Sequence, residues 1–195
     1  MILYDHRTLL AFVPELESKS MLDLGAGYFA LDSSLHLASS GQTIALDLCY
    51  REQKPLLVKD AVAGDALRLP FRDECIDVVV QGYLADLVHD RNMLFTETAR
   101  VLKPGGYLVG DVPMRPMREF RERGRLLKLA IDIPSYLGQA RTLRREIEKS
   151  GLIMVHNGLG VNATNVELYV NYHYIARKGD SVKVSSGHSC HWGEP

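Results

Sequence analysis

The stretch Met21-Leu22-Asp23-Leu24-Gly25-Ala26-Gly27-Tyr28-Phe29-Ala30 constrains the fold more than any other part of the chain. Met21 to Leu24 reads as a short buried strand, and the glycines after it as a turn into a helix. Gly25 can take backbone angles closed to other residues, and Gly27 has no side chain to hold a ligand away from the main chain. A helix that opens just after such a turn aims unpaired N–H groups at it. Together these features predict a small cradle for a polar ligand at the carboxyl edge of a sheet. Twenty residues past Gly27, a second apolar run, Thr43-Ile44-Ala45-Leu46, ends in Asp47. A carboxylate at that place is positioned to grip a ribose diol.

The rest of the chain repeats the alternation. Residues 1–20 read as a short helix over one sheet edge, with Leu9, Leu10, Phe12 and Val13 apolar, and Tyr4 and His6 near enough to fold over a ligand. A helix is expected over 33–39, closed by Gly41. Strands are expected at 43–48, at 61–63 and at Ile76–Gln81, the last β-branched and bounded by turn residues. Pro70 and the charges around it mark 67–75 as a loop. A helix is expected from Asp90 to Leu102, stopped by a sharp turn at Lys103-Pro104-Gly105-Gly106. A fifth strand follows at Tyr107–Val112. Strands alternating with helices predict a parallel sheet wound on both sides, its ligand beyond the carboxyl ends of the strands. Asp23, Asp47, Asp65 and Gln81 come from four separate segments, and all fall at or near those ends.

Beyond the fifth strand, Met117, Phe120, Leu127 and Ile131 share one helical stripe, and Arg118, Arg121, Arg125 and Lys128 another. Ile133-Pro134 is expected to end that helix, with Ser135 capping the next. Tyr136, Ala140, Leu143 and Ile147 form the apolar stripe of this second helix, closed by Gly151. A sixth strand is expected at 152–155. A seventh, at 166–176, alternates Glu167, Tyr169, Asn171 and His173 with Leu168, Val170, Tyr172 and Tyr174.

Composition narrows the function classes. A net charge near −1 gives no overall field for nucleic acid or an acidic membrane. No apolar run approaches a membrane span, so no membrane insertion is expected. Three scattered cysteines fit a reducing, cytoplasmic setting better than a disulfide frame. His188-Ser189-Cys190-His191 lacks paired zinc-ligand spacing, so no metal is expected. The 195 residues are expected to form a single domain over 1–178 with a polar tail over 179–195.

Five pieces in order carry a resemblance. They are Leu22-Asp23-Leu24-Gly25-Ala26-Gly27, then Asp47, Gly64-Asp65-Ala66-Leu67-Arg68-Leu69-Pro70-Phe71, Ile76-Asp77-Val78-Val79, and Arg100-Val101-Leu102-Lys103-Pro104-Gly105-Gly106. Over about residues 20–112 the chain resembles the class I S-adenosylmethionine-dependent methyltransferases, most closely the small-molecule branch that includes quinone-biosynthesis enzymes. The resemblance implies a Rossmann-like, doubly wound α/β fold with seven strands, order 3-2-1-4-5-7-6, the last strand antiparallel. It implies S-adenosylmethionine as cofactor and methyl transfer to a small-molecule acceptor. By the same resemblance Asp23 organises the cradle and the amino-acid end of the cofactor. Gly25, Ala26 and Gly27 let the cofactor approach the backbone, and Asp47 takes the ribose hydroxyls. Leu48 packs on the adenine, Asp65 and the Ala66 backbone read the adenine edge, and Gln81 lies near the methionine portion. Phe29 stands where the fuller family pattern has a third glycine.

Tyr83 and Arg115 are the candidate acceptor-contacting residues, within and after which 113–150 forms a helical lid and connecting region. A basic lid would suit an anionic acceptor. Methyl transfer needs positioning and exclusion of water more than acid–base machinery; no catalytic triad is discernible. Gln81-Gly82-Tyr83 replaces the Asn/Asp-Pro-Pro-aromatic stretch of amino-methylating DNA enzymes, and no nucleic-acid partner is expected. Two further readings share the same residues: a cofactor-binding partner subunit without catalysis, and a nicotinamide-dependent oxidoreductase, since Gly25-x-Gly27-x-x-Ala30 with Asp47 also meets the nicotinamide fingerprint.

Overall fold

The computed structural model describes residues 11–26, 42–49, 60–114, 133–163 and 168–180. Its strands are β1 (Met21–Leu24), β2 (Thr43–Asp47), β3 (Asp60–Ala63), β4 (Ile76–Gly82), β5 (Leu102–Met114), β6 (Leu152–Ala163) and β7 (Leu168–Lys178). The helices are α1 (Leu84–Leu87), α2 (Arg91–Val101) and α3 (Ile133–Lys149), with a 3-10 turn at Leu16–Ser18. The sheet order is β3-β2-β1-β4-β5-β7-β6, as the resemblance implied. β1 pairs in parallel with β2 and β4, and β7 runs antiparallel to both β5 and β6.

All four residues of β1 are buried, because strands flank it on both sides and cover lies over both faces. One face carries Leu22, Leu24, Val79, Leu108 and Tyr174, and packs with Leu94 and Phe95 of α2 and Leu143 and Ile147 of α3. Phe95 meets the Tyr174 ring edge-on, centroids 6.3 Å apart. The other face carries Met21, Val78, Val80, Val109 and Ile175 under Val13 and Leu16. The N-terminal residues therefore cover a face of the sheet, not an edge as the sequence suggested; residues 1–10, with Tyr4 and His6, lie outside the described residues.

Three element bounds differ from the sequence reading. Lys103–Gly106 does not separate a helix from a new strand: β5 begins at Leu102, and the four residues bulge out between the Ile76–Leu102 and Val78–Tyr107 pairs. Gly106 is required there, since a Cβ would sit 2.8 Å from the Lys103 carbonyl oxygen and 2.9 Å from that of Asp77. Lys103 Nζ donates to Asp77 Oδ2 at 2.8 Å and ties the bulge to β4. Ile133 and Pro134 open α3 instead of closing the helix before it, a place proline's fixed φ and missing N–H suit. The stripe Tyr136, Ala140, Leu143 and Ile147 is buried as its spacing required. β6 runs to Ala163, far past the expected 155, because β7 pairs with it along its length. The expected helices at 33–39 and 117–131, Phe29 and the His/Cys tail fall outside the described residues.

One side chain fastens the loop between β3 and β4. Arg100 Nε and Nη2 each donate to Glu97 at 2.8 Å. Its Nη1 donates to the Phe71 carbonyl at 2.8 Å and to Asp73 Oδ1 at 2.7 Å, and Nη2 also reaches the Leu69 carbonyl at 3.0 Å. All five guanidinium donors are thus spent. Glu97 Oε2 in turn accepts from the Leu69 N–H at 2.8 Å. Lysine has three donors and no planar fork. Arg100→Lys should lower unfolding free energy by roughly 2 kcal/mol, about the value of one hydrogen bond to a charged group. In the same variant, hydrogen exchange at the Leu69 amide should quicken; unchanged protection there would mean the loop is held by its apolar contacts alone.

Candidate functional site

Parallel pairing brings the ends of β1, β2, β3 and β4 to one edge. Leu24 lies opposite Leu46 and Gln81, and Asp47 opposite Ala63. Gly25 begins the turn after β1 with φ +71°, a conformation that L side chains rarely adopt. A Cβ there would also come within 2.9 Å of Leu84 Cδ1, so α1 sits directly on the turn. The Gly25 and Ala26 N–H groups both donate to the Leu46 carbonyl, at 2.9 and 3.2 Å. These two amides tie the turn to β2, and the helix N–H groups on which the cradle reading rests fall outside the described residues. Gly27 lies outside the described residues.

The other predicted residues gather along the same edge. Asp23 is buried on β1. Asp47, half-buried, accepts from the Cys49 N–H through Oδ1 at 3.1 Å, a local turn bond. Leu48, next to it, is 71% exposed. The Gly64 N–H donates to the Asp47 carbonyl at 2.9 Å, which brings the 64–66 turn against the end of β2. Asp65 is exposed and accepts from the Leu67 N–H at 2.8 Å, while Ala66 is buried in the core. Gln81 is fully buried, and neither its Oε1 nor its Nε2 has a hydrogen-bond partner. A buried amide without partners is costly unless something arrives to bind it.

A second polar group lies on the face covered by Val13 and Leu16, toward the carboxyl ends of β4 and β5. Along the strands, the register row after Leu24, Gln81, Gly110 and Tyr174 holds Gly82, Asp111 and His173. Asn171 Nδ2 donates to Asp111 Oδ2 at 3.3 Å and to the Tyr83 hydroxyl at 2.9 Å. The Tyr83 N–H donates to the Asp111 carbonyl at 3.0 Å. Tyr83 holds φ 59°, ψ −4°, a left-handed conformation uncommon for a non-glycine residue. Asp111 and Asn171 are fully buried, and Asp111 Oδ1 and Asn171 Oδ1 have no partner. Burial pushes the Asp111 carboxyl up to about 6. Burial, with His156 nearby, holds His173 below the usual imidazole range. His156 itself stacks on Phe12, centroids 4.6 Å apart.

Of the two candidate acceptor contacts, Tyr83 joins this cluster; Arg115 lies outside the described residues. Asp111, Asn171 and His173 escaped the sequence reading. The period-two pattern of 167–174 suits a strand with one wet face, yet Val170 to Tyr174 are all buried. A usable signal was present in Asp111, an acid inside a run of apolar strand residues. A polar hollow of about 300 Å³ lined by Asp86, His89, Asp90, Arg91 and Glu146 contains none of the predicted residues. Among the described residues, no group of three His, Cys, Asp or Glu side chains is placed to hold a metal ion.

The family described as "Methyltransferase domain" matches residues 22–110. The chain is 37% identical over 125 residues to phthiotriol/phenolphthiotriol dimycocerosates methyltransferase 1 of Mycobacterium ulcerans, covering 60% of this chain and 45% of that protein. It is 39% identical over 95 residues to the demethylmenaquinone methyltransferase of Mycolicibacterium vanbaalenii, covering 47% of this chain and 41% of that one. The matched region thus spans less than half the length of either relative. Among solved structures, a methyltransferase from Methanosarcina mazei superposes with a TM-score of 0.69 at 17% identity, over 92% of this chain and 100% of that one.

The raised Asp111 carboxyl has a consequence for stability. Folding favours its protonated form, so its contribution is fully present below about pH 4 and is lost as pH rises through about 6. The loss amounts to roughly 3 kcal/mol, at 1.36 kcal/mol per pH unit. Asp111→Asn should flatten denaturation midpoints between pH 4 and 7 relative to the parent protein; parallel curves for the two would place the buried charge elsewhere.

Proposed function

We propose that the chain carries a class I S-adenosylmethionine-dependent methyltransferase domain and that it moves a methyl group from S-adenosylmethionine to a small organic acceptor over the carboxyl edge of the sheet. The observation that carries this reading is the edge itself: Leu48, 71% exposed, follows Asp47 at the end of β2, where the Gly64 N–H bonds the Asp47 carbonyl and the Gly25 N–H bonds the Leu46 carbonyl. An exposed apolar side chain next to a hydrogen-bond acceptor fits a purine joined to a sugar. Asp47 takes the ribose hydroxyls, and Leu48 packs on the base. Asp65 and the Ala66 backbone read the base edge. Asp23, Gly25, Ala26 and Gly27 frame the amino-acid end, and the unpartnered Gln81 amide bonds the methionine portion.

S-adenosylmethionine supplies an electrophilic methyl on a sulfonium. The protein's share is to hold the acceptor in line and keep water out, for which well-oriented reactants gain on the order of 10⁵ M in effective concentration. The two relatives are named for a phthiotriol or phenolphthiotriol dimycocerosate and for a demethylmenaquinone. Cys49 and Cys75 are both free thiols, which suits a reducing, cytoplasmic setting. No described helix is long and apolar enough to cross a membrane.

Asp47 separates this reading from a merely structural one. A hydrogen bond to a charged group contributes about 1.5–3 kcal/mol. Asp47→Ala should therefore weaken S-adenosylmethionine binding roughly 10- to 150-fold by calorimetry. The unfolding midpoint without cofactor should move far less than the affinity, since the bond from Cys49 N–H is a local turn bond at an edge that water reaches. The parent protein should bind S-adenosylmethionine and its demethylated product and leave NAD unbound. Tighter binding of NAD, or an unchanged dissociation constant in folded Asp47→Ala, would reject the cofactor site drawn here.

A further inference from the structure

We propose that Asp111 is the catalytic base of this site and that its substrate is an acidified hydroxyl, a phenol or an enol, that donates its hydrogen to Asp111 Oδ1. The inference rests on the methyl-transfer reading and adds to it the class of acceptor and the residue that takes its proton.

Geometry comes first. At the tip of the sheet the Gly25 turn, Gly82, Asp111 and His173 follow one another across β1, β4, β5 and β7. Adjacent strands are about 4.8 Å apart, so Asp111 stands roughly 10 Å from the turn. Gly82, between them, has no side chain. On this face, beside Gly82 in the register, two buried oxygens, Asp111 Oδ1 and Asn171 Oδ1, have no hydrogen-bond partner. Both need a ligand that donates hydrogen bonds. Asn171 spends its amide N–H groups on Asp111 Oδ2 and the Tyr83 hydroxyl, which fixes its Oδ1 as the side presented to a ligand.

Charge selects among donors. An amine arrives as an ammonium ion and would have to be desolvated beside a carboxylate, a costly burial of two charges. A hydroxyl arrives neutral. Its oxygen forms the new bond to the methyl carbon, the methyl–sulfur bond breaks with its electron pair going to sulfur, and the hydroxyl proton goes to Asp111 Oδ1. Carboxylate and sulfonium are both discharged, and the products are an ether, a thioether and a neutral acid. Burial that resists a charge on Asp111 thus favours the forward step. A base raised to about 6 remains ionised at neutral pH and is stronger than an ordinary carboxylate. A phenol, ionising near 10, is within its reach, whereas an unactivated alcohol is not. Besides the chain's N-terminal ammonium, which favours the charged form, the titratable groups around Asp111 among the described residues are Tyr83 at the β4–α1 junction, Asp23 on the same face, and His173 opposite, with His156 near His173.

The test uses S-adenosylmethionine with 1-naphthol, phenol and catechol as probes, and benzylamine and cyclohexanol as controls. Methyl ethers should form from the first three and nothing from the controls. Asp111→Asn should lower kcat for 1-naphthol on the order of 100-fold or more, with cofactor affinity unchanged. The deficit should shrink as pH climbs toward about 10, where the probe ionises unaided. That recovery is beyond a purely structural role. Asn171→Ala should chiefly raise KM, and it serves as the second variant if Asp111→Asn does not fold. Cofactor binding without transfer to any phenol, transfer to benzylamine instead, or a pH-independent deficit in Asp111→Asn would each overturn the assignment and leave the cofactor reading standing. No binding of S-adenosylmethionine would overturn both.

Discussion

The two-sided parallel pairing of β1 is the constraint from which the site follows. A strand buried on both faces and flanked on both sides cannot slip by one residue without turning its apolar side chains out of the core. Once Leu24 is fixed opposite Leu46 and Gln81, the positions of the Gly25 turn, Asp47 and the buried amide are fixed with it. None of these residues is close to another in sequence. They meet because parallel strands all end on the same side, and because the crossovers return the chain to the opposite side each time.

The polar groups of this fold fall into two populations. In the 65–77 region nearly every one is spent. Arg100 uses all its donors, and Asp77 Oδ2 accepts from Lys103 and from both the backbone and side chain of Ser20. At the carboxyl edge the opposite holds, with Gln81, Asp111 and Asn171 each buried and each keeping an atom without a partner. Unsatisfied buried atoms reduce stability, and a chain able to wire the 65–77 loop so completely could have satisfied three more. Their place at the carboxyl ends of β4 and β5 and on β7 beside them sets this end of the sheet apart from the 65–77 loop.

Much of the architecture was legible because its signals are local. The glycines after Leu24, the β-branched run at Ile76–Val80 and the stripe Tyr136, Ala140, Leu143 and Ile147 each announce an element without reference to anything distant. The errors lie where distant pairing decides. β6 reaches Ala163 because β7 offers a partner along that length, a fact that no window around residue 155 contains. Lys103–Gly106 has the composition of a turn, yet pairing on either side makes it a bulge. Asn171 and His173 look like the wet side of a strand until the N-terminal cover is known. The acids at 47 and 65 could be read because each follows an apolar run, and Asp23 because the glycine turn comes just after it. Asp111 sits within one, and its meaning appears only when Gly82 and Asn171 are set beside it.

Tyr83 shows what this arrangement costs. Its left-handed backbone is the conformation that glycine adopts freely, and a bulky residue holds it at an expense of about 1–3 kcal/mol. In return the ring is delivered across β5 to Asn171 on β7. Thermal selection applied to this chain would favour glycine or asparagine at 83 and collect a sturdier fold with the hydroxyl gone. Position 83 therefore sets melting temperature against the wiring of the Asp111–Asn171 cluster, and heat tolerance alone is a misleading guide to improvement of this protein.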